Sequence, residues 1–589
     1  MKAAALSQSS RLEAVEALGS REFDVLVIGG GVTGAGTALD AASRGLSVAL
    51  VEARDYASGT SSRASKLIHG GLRYLQMLDF KLVREALTER GRLLTAIAPH
   101  LVQPVPFIYP FTHKVWERGY IGAGLMLYDG LSFAPGVHRG VPLHRHLSRR
   151  SMQKLFPEMR EDAAVGGLRY YDAKVDDARF VATLIRTATS HGAVTASRMQ
   201  ATEYLTDHGH ITGVVADDLE SGQTVQIRAR HVISATGVWT EATENLPGFP
   251  ASPDAGASTS PTSRGLKVRA SKGIHIVVPG DRIVGNAGMI LNTEKSVLFI
   301  IPWDGYWVIG TTDTDWQLPK AHPVANATDI DYLLDHVNAV LKNPLTRDDV
   351  IGTYSGLRPL LQPVSTDAQS TAKVSREHTA ATPAPGLTAI AGGKFTTYRV
   401  MAEDVVDQAL GPEAKGNPSI TANLPMLGAE GFKVRMRQRG RIAAKYGWEI
   451  GRVNHLLRRY GGLIDEILEL IDADPSLGEP LPGAEQYLKA EVTYAVTHEG
   501  ALHLEDVLTR RTRLSYEQPE RGLAASDTIA DLMGRELGWS DQERNDEIAA
   551  YRARVDAERA AELEPDDESA AAVRARAEEI MPPEGSSLA

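Results

Sequence analysis

A run of apolar positions, FDVLVIGG (23–30), passes into glycines and the helical pattern ALDAASRG, and a second apolar run, LSVALVEA, follows at 46–53. Short continuous apolar runs bounded by glycine read as buried strands, so the pattern predicts a βαβ unit within about thirty residues. From 176, VDDARFVATLIRTATSHG has helical spacing, with Asp176 or Asp177 as N-cap and Gly192 as C-cap. VTASRMQATEY, ITGVVADD, TVQIRA and HVISATG then read as a β-meander returning to the sheet. The Pro-, Ser- and Gly-rich segment 248–265 is expected to be an exposed loop. From about 416 the periodicity turns helical, as in RVNHLLRRYGGLIDEILELI and EVTYAVTHEGALHLEDVLTRR, which predicts a separate helical domain. The last 29 residues hold eight acids and two arginines and are expected to form a solvated tail.

Length and composition narrow the chemistry. At roughly 150 residues per domain, 589 residues ask for three or four packing units, and 43% apolar content supplies their cores. The chain has no cysteine, which excludes disulfides, thiolate metal sites, iron–sulfur clusters and thiol nucleophiles. Any redox chemistry must use a borrowed cofactor, and no metal site is expected. A formal charge of −11 argues against nucleic acid as the main partner. The first residues, MKAAALSQSSRLEAVEALGS, lack the continuous apolar stretch of a signal peptide, so export is not expected. No stretch reaches the 18 or more apolar residues of a membrane span, and YIGAGLMLYDGLSFAP is interrupted by Asp129.

Between the first strand and helix stand Gly29, Gly31 and Gly34, a GxGxxG pattern continued by Ala38 and Gly45. Glycines there permit a tight turn and close backbone approach, and the helix N-terminus receives a pyrophosphate. Glu52 ends the second strand, placed to accept hydrogen bonds from ribose hydroxyls. No second nucleotide fingerprint occurs, which favours one permanently bound dinucleotide.

Further blocks carry a resemblance: GGGVTGAG, SGTSSRASKLIHGGLRYL (58–75), YYDAKVDDARFV, ATGVW (235–239), KGIHIVVP (272–279), FIIPWDGYWVIGTTD (299–313), YSGLRPL (354–360) and GGKFTTYR (392–399). With them the chain resembles the respiratory, quinone-linked FAD-dependent glycerol-3-phosphate dehydrogenases, within the glycine/D-amino-acid oxidase-like flavoproteins. The blocks cover most of residues 22–515. Three departures stand out: Thr33 in the glycine turn where relatives often carry Asn, the long loop 248–265, and the acidic tail.

The resemblance implies FAD as cofactor and sn-glycerol 3-phosphate as substrate, a dianion that needs fixed cations and a base. Arg73, Arg358 and Lys394 are the implied cations, arginine suiting phosphate through its rigid two-donor fork. Tyr74, Thr311, Thr312 and Asp313 are further pocket candidates, and GTTD reads equally as a strand-ending turn. His69 and His275 are the candidate bases, because neutral imidazole accepts a proton near neutral pH. Asp172 and Asp177 read as helix caps. Flavin or pyrophosphate contacts are implied for Ser61, Ser62, Ser65, Lys66, Leu67, His69, Gly70 and Gly71. Ala235, Thr236 and Gly237 are expected at the adenosine half, and Gly392, Gly393, Lys394, Phe395, Thr396 and Thr397 complete the cofactor set.

The expected fold is therefore α/β: a Rossmann-type FAD-binding domain (22–95 with 160–260 and 350–415), a mixed-sheet substrate domain (96–159 with 266–349), a C-terminal all-helical domain (416–560) and the acidic tail (561–589). The expected reaction is oxidation of sn-glycerol 3-phosphate to dihydroxyacetone phosphate, with electrons passed to a membrane quinone. A glycerol-phosphate oxidase using dioxygen is the alternative on the same scaffold, and a non-catalytic flavin scaffold or redox sensor the alternative of another class. A cytoplasmic protein lying peripherally on the inner face of the cell membrane is expected, with a homo-oligomer as an open option. The aromatic stretch 107–133, with Lys114, Arg118, Arg139, Arg145, Arg149 and Arg150, reads either as an interfacial element or as a buried one with a basic rim.

Overall fold

The strand Glu22–Ile28 lies inside an eight-stranded sheet, paired in parallel with Val48–Glu52 on one side and Gln223–Ser234 on the other. Val194–Ser197 and Leu387–Gly392 extend the parallel region outward. Val25, Leu26 and Val27 are completely buried, because a parallel sheet is covered on both faces and its strands read as unbroken apolar runs. One face packs against the helices Val32–Ser43, Asp177–Ser190 and Tyr398–Leu410; the other is covered from the hairpin strands Met199–Asp207 and His210–Asp218. The predicted meander is thus present.

In this computed structural model the described residues are 3–71, 79–113, 116–133, 139–250, 266–294, 297–361 and 377–580. Most of the segment read as an exposed loop, 251–265, lies outside them.

A second, ten-stranded sheet is antiparallel except where Gly288–Asn292 runs parallel to Val102–Phe111. Its strands Leu67–Ile68, Gly166–Val175 and Gly352–Leu361 fall within ranges expected for the FAD domain. Strand pairing is a long-range choice that local pattern does not encode. The consequence is functional, since the segment 58–71 runs from one sheet to the other.

Beyond residue 416 the chain is predominantly helical, and Leu456, Leu457, Ile467, Tyr494, Leu508 and Ile529 share one core. The pattern RVNHLLRRYGGLIDEILELI forms two helices, Ile450–Tyr460 and Ile464–Ala473. Gly461 separates them at φ +59°, a left-handed backbone that glycine adopts without steric cost.

The acidic C-terminal segment is not a free tail through residue 580. A helix, Asp567–Arg574, starts at the N-cap Asp566 and buries Ala570 and Val573 against Val324 and Ala561. Asp567 pairs with the buried Lys272, and Glu579 accepts from Arg54 at 2.9 Å. Composition alone suggested solvation because the complementary cations lie hundreds of residues earlier.

The stretch expected to be interfacial or buried is part inner strand and part exposed helix. Val102–Phe111 is an inner strand of the ten-stranded sheet, whereas the helix Trp116–Leu131 leaves Trp116, Tyr120, Met126 and Leu127 between 42% and 61% exposed. Among the described residues no helix is long and apolar enough to cross a membrane.

Candidate active site

The glycine turn is built by backbone necessity. Gly29 closes the first strand at φ +109°, and a Cβ on Gly34 would lie 1.8 Å from the Gly29 carbonyl oxygen. Only glycine lets helix and strand approach so closely. Gly31 caps the helix Val32–Ser43, and the Val32 N–H donates to Ser61 Oγ at 2.9 Å. At the end of the neighbouring strand Glu52 accepts from the Gly30 N–H (2.6 Å) and the Arg54 N–H (2.9 Å). Burial pushes the Glu52 carboxyl above its ordinary range, opposed by those two N–H groups and the Arg54 charge.

A cleft of about 330 Å³ opens at the carboxyl ends of the parallel strands, where doubly wound sheets bind ligands. The first sheet and its loops bring Gly29, Gly31, Glu52 and Ser61 to its wall, then Ala235, Thr236 and Gly237, and then Gly392 through Thr396. The ten-stranded sheet and the segment entering it bring Ser65, Leu67, His69, His275 and Arg358. Thr396 ties the two contributions together: its hydroxyl accepts from the His69 N–H at 3.1 Å.

His275 reaches the cleft by strand alternation. In Val268–Pro279 the side chains of Ile274, Ile276 and Val278 enter one core, so Gly273, His275 and Val277 face the opposite side. The register sets His275 against Tyr354 and Gly310, and its Nε2 lies 2.9 Å from Ser65 Oγ. Burial, with the Arg358 and Lys66 cations nearby, holds its pKa well below the usual histidine value. The imidazole is neutral at neutral pH.

Thr311, Thr312 and Asp313 do not line the cleft; they brace Arg358. Its Nη2 donates to Thr311 Oγ1 and the Thr312 carbonyl, both at 3.0 Å, and Nη1 faces Asp313 at 3.5 Å. The expected substrate contacts therefore act as a cradle for the cation.

Several expected cofactor residues sit behind the wall. Lys66 is completely buried in an ion pair with Asp177 (2.5 Å), since a buried ammonium needs a carboxylate, and its Nζ also donates to the Ser62 carbonyl. Asp177 is accordingly not a cap: the helix is capped by Asp176, which accepts from the Arg179 N–H. Asp172 is not a cap either, binding Arg90 and the Tyr128 hydroxyl. Tyr128 in turn accepts from the Gly70 N–H. Gly71 and Thr397 are likewise absent from the wall, the Thr397 N–H donating to the Lys394 carbonyl at 3.1 Å. Arg73 and Tyr74 lie outside the described residues.

Sequence reasoning missed Arg54, Met199, Gln200, Ala201 and Trp239, all on the wall. Trp239 lies inside the ATGVW block, and the Arg54 guanidinium lies 6.0 Å from its ring centroid. Residues 199–201 carry no local signal; they arrive because their strand begins beside the end of Val194–Ser197.

These groups fit FAD. The glycine turn and helix N-terminus suit a pyrophosphate, and Glu52 suits a ribose.

The sequence pattern of FAD dependent oxidoreductases matches residues 24–399, and that of the C-terminal domain of alpha-glycerophosphate oxidase matches residues 419–544. Glycerol-3-phosphate dehydrogenase 2 of Mycobacterium tuberculosis is 50% identical over 98% of this chain and 95% of its own length. The human mitochondrial glycerol-3-phosphate dehydrogenase is 36% identical over 90% of this chain and 73% of its own. The crystal structure of the Bacillus halodurans glycerol-3-phosphate dehydrogenase complexed with FAD superposes with a TM-score of 0.73 at 28% identity, covering 93% of this chain and 98% of that one. With the glycine turn, the terminal carboxylate and the cationic cleft in one place, the chain belongs to the FAD-dependent glycerol-3-phosphate dehydrogenases.

Proposed function

We infer that the protein oxidises sn-glycerol 3-phosphate to dihydroxyacetone phosphate. The observation that carries this reading is the convergence of Arg358, Lys394, His69 and His275 on the cleft that begins at the dinucleotide turn. Bound FAD supplies the two-electron acceptor. The chain's own residues do the rest. Arg358, held by Thr311, Thr312 and Asp313, offers a preset guanidinium to the substrate dianion, and Lys394 adds a second positive charge. Neutral His275 takes the hydroxyl proton at a ring nitrogen, with Ser65 holding Nε2.

We place the electron acceptor in a membrane, as a quinone. This is supported by the exposed apolar face of the helix Trp116–Leu131 and the exposed Arg118, Arg145, Arg149 and Arg150 nearby, the combination of aromatic and basic groups that suits a headgroup interface. A quinone dissolves in the bilayer, so the enzyme that reduces it must lie against one.

The test is anaerobic mixing with glycerol 3-phosphate while flavin absorbance is followed, then separate addition of a quinone analogue or dioxygen. Bleaching by glycerol 3-phosphate and reoxidation by the quinone are expected. Bleaching by plain glycerol as effective as by its phosphate would sink the substrate assignment, and rapid reoxidation by dioxygen alone would make the protein an oxidase.

A further inference from the structure

Among the described residues the C-terminal helical unit contributes none to the wall of the cleft, yet it grips the loop that shapes it. Asp55, three residues after Glu52, is fully buried and receives two parallel hydrogen bonds from Arg511, both at 2.7 Å. Arg510 donates to the same carboxylate and, through Nη2, to Asp506 at 2.6 Å. The Arg511 Nε donates to the Glu499 carbonyl at 3.1 Å. Arg510, Arg511, Asp506 and Glu499 all belong to the C-terminal unit, and Arg198, in the turn between Val194–Ser197 and Met199–Asp207, reaches Asp506 at 3.3 Å.

From Asp55 the chain wraps the glycine turn. The Ala57 N–H donates to the Gly30 carbonyl at 3.1 Å, and four residues on Ser61 accepts from Val32. Tyr56 packs so tightly on Gly30 that a Cβ there would lie 2.8 Å from its ring. One residue before Asp55, Arg54 is tied to Glu579. A buried ion network is a poor route to raw stability, because well-packed apolar residues do as well or better; what bidentate charge pairs supply is a fixed geometry.

We propose that Asp55 is a positioning residue for the nucleotide half of the cofactor: anchored by Arg510 and Arg511, it holds the loop that leaves the strand at Glu52 and carries Ser61 to the glycine turn. This rests on the FAD reading above. It gives the C-terminal unit a part in cofactor retention.

The experiment compares release of FAD from diluted holoenzyme, read by recovery of flavin fluorescence, for wild type, Asp55→Asn and Arg511→Lys. It also compares their thermal midpoints with and without added FAD. Asp55→Asn should release FAD at least about tenfold faster, and the midpoint gain from added FAD should shrink. The Michaelis constant for glycerol 3-phosphate at saturating FAD should stay within about twofold. Arg511→Lys, which keeps the charge and loses the fork, should fall between, and it decides by the same criteria if Asp55→Asn does not fold. Unchanged FAD release, with both midpoints lowered equally, would show Asp55 to be structural only and overturn the proposal. A wild-type protein that holds no FAD would instead overturn the reading beneath it.

Discussion

His275 lies flat against Tyr354, ring centroids 4.7 Å apart and planes inclined by 13°. The two residues face each other across adjacent antiparallel strands, so backbone pairing sets the stack before any side chain packs. Stacking and the Ser65 contact leave the imidazole little rotational freedom, and burial keeps it neutral. His275→Asn should therefore slow flavin reduction by glycerol 3-phosphate by about 10²-fold or more with FAD content unchanged. Stopped-flow absorbance measures it, and a loss under about threefold would move the proton to His69.

Arg358 is a cation in a rigid cradle rather than a free side chain. Losing one charge-assisted partner for a dianion costs on the order of 1.5–3 kcal/mol. Arg358→Ala should raise the Michaelis constant for glycerol 3-phosphate by about tenfold or more while FAD stays bound. Arg358→Lys should recover only part, because an ammonium lacks the planar fork. Steady-state kinetics with unaltered constants would remove Arg358 from phosphate recognition.

The membrane assignment makes a separable prediction. Replacing Trp116, Tyr120 and Leu127 by serine should abolish flotation with vesicles at any salt concentration, since it removes the apolar contact. Replacing Arg145, Arg149 and Arg150 by glutamate should weaken binding to anionic vesicles most at low salt, where screening is least. Wild-type protein that stays with the soluble fraction in vesicle flotation would count against a bilayer-bound acceptor.

His503 makes stability depend on alkaline pH. Burial alone would lower its pKa, but hydrogen bonds to Glu220 (2.9 Å) and Glu547 (2.6 Å) outweigh that and hold it at about 9. A histidine raised in the folded state stabilises fully below the unfolded value of 6.5, and that contribution is lost as pH rises through about 9. The contribution is on the order of 3 kcal/mol. Thermal midpoints should decline from about pH 6.5 to about pH 10, and His503→Gln should flatten that decline while lowering the plateau. A wild-type profile already flat across that window would contradict the charged state.

Local chemistry was enough for the βαβ unit, because its strand runs, glycines and terminal Glu52 are neighbours in the chain and steric demand at Gly29 and Gly34 admits no other residue. The family blocks likewise contain His69, His275, Arg358 and Lys394, and all four line the cleft. What the chain order could not express was which distant charge would meet which. Lys66 stands in a flavin-loop motif, yet the fold presents Asp177, 111 residues away, and the ammonium pairs there. The acidic C-terminal segment reads as solvated until Lys272 and Arg54 are brought against it. Asp55 and Arg511, 456 residues apart, form one buried pair. Hydrophobic period and backbone sterics act over a few residues and are written in sequence. Ion pairing acts through space, and only tertiary structure decides its partners.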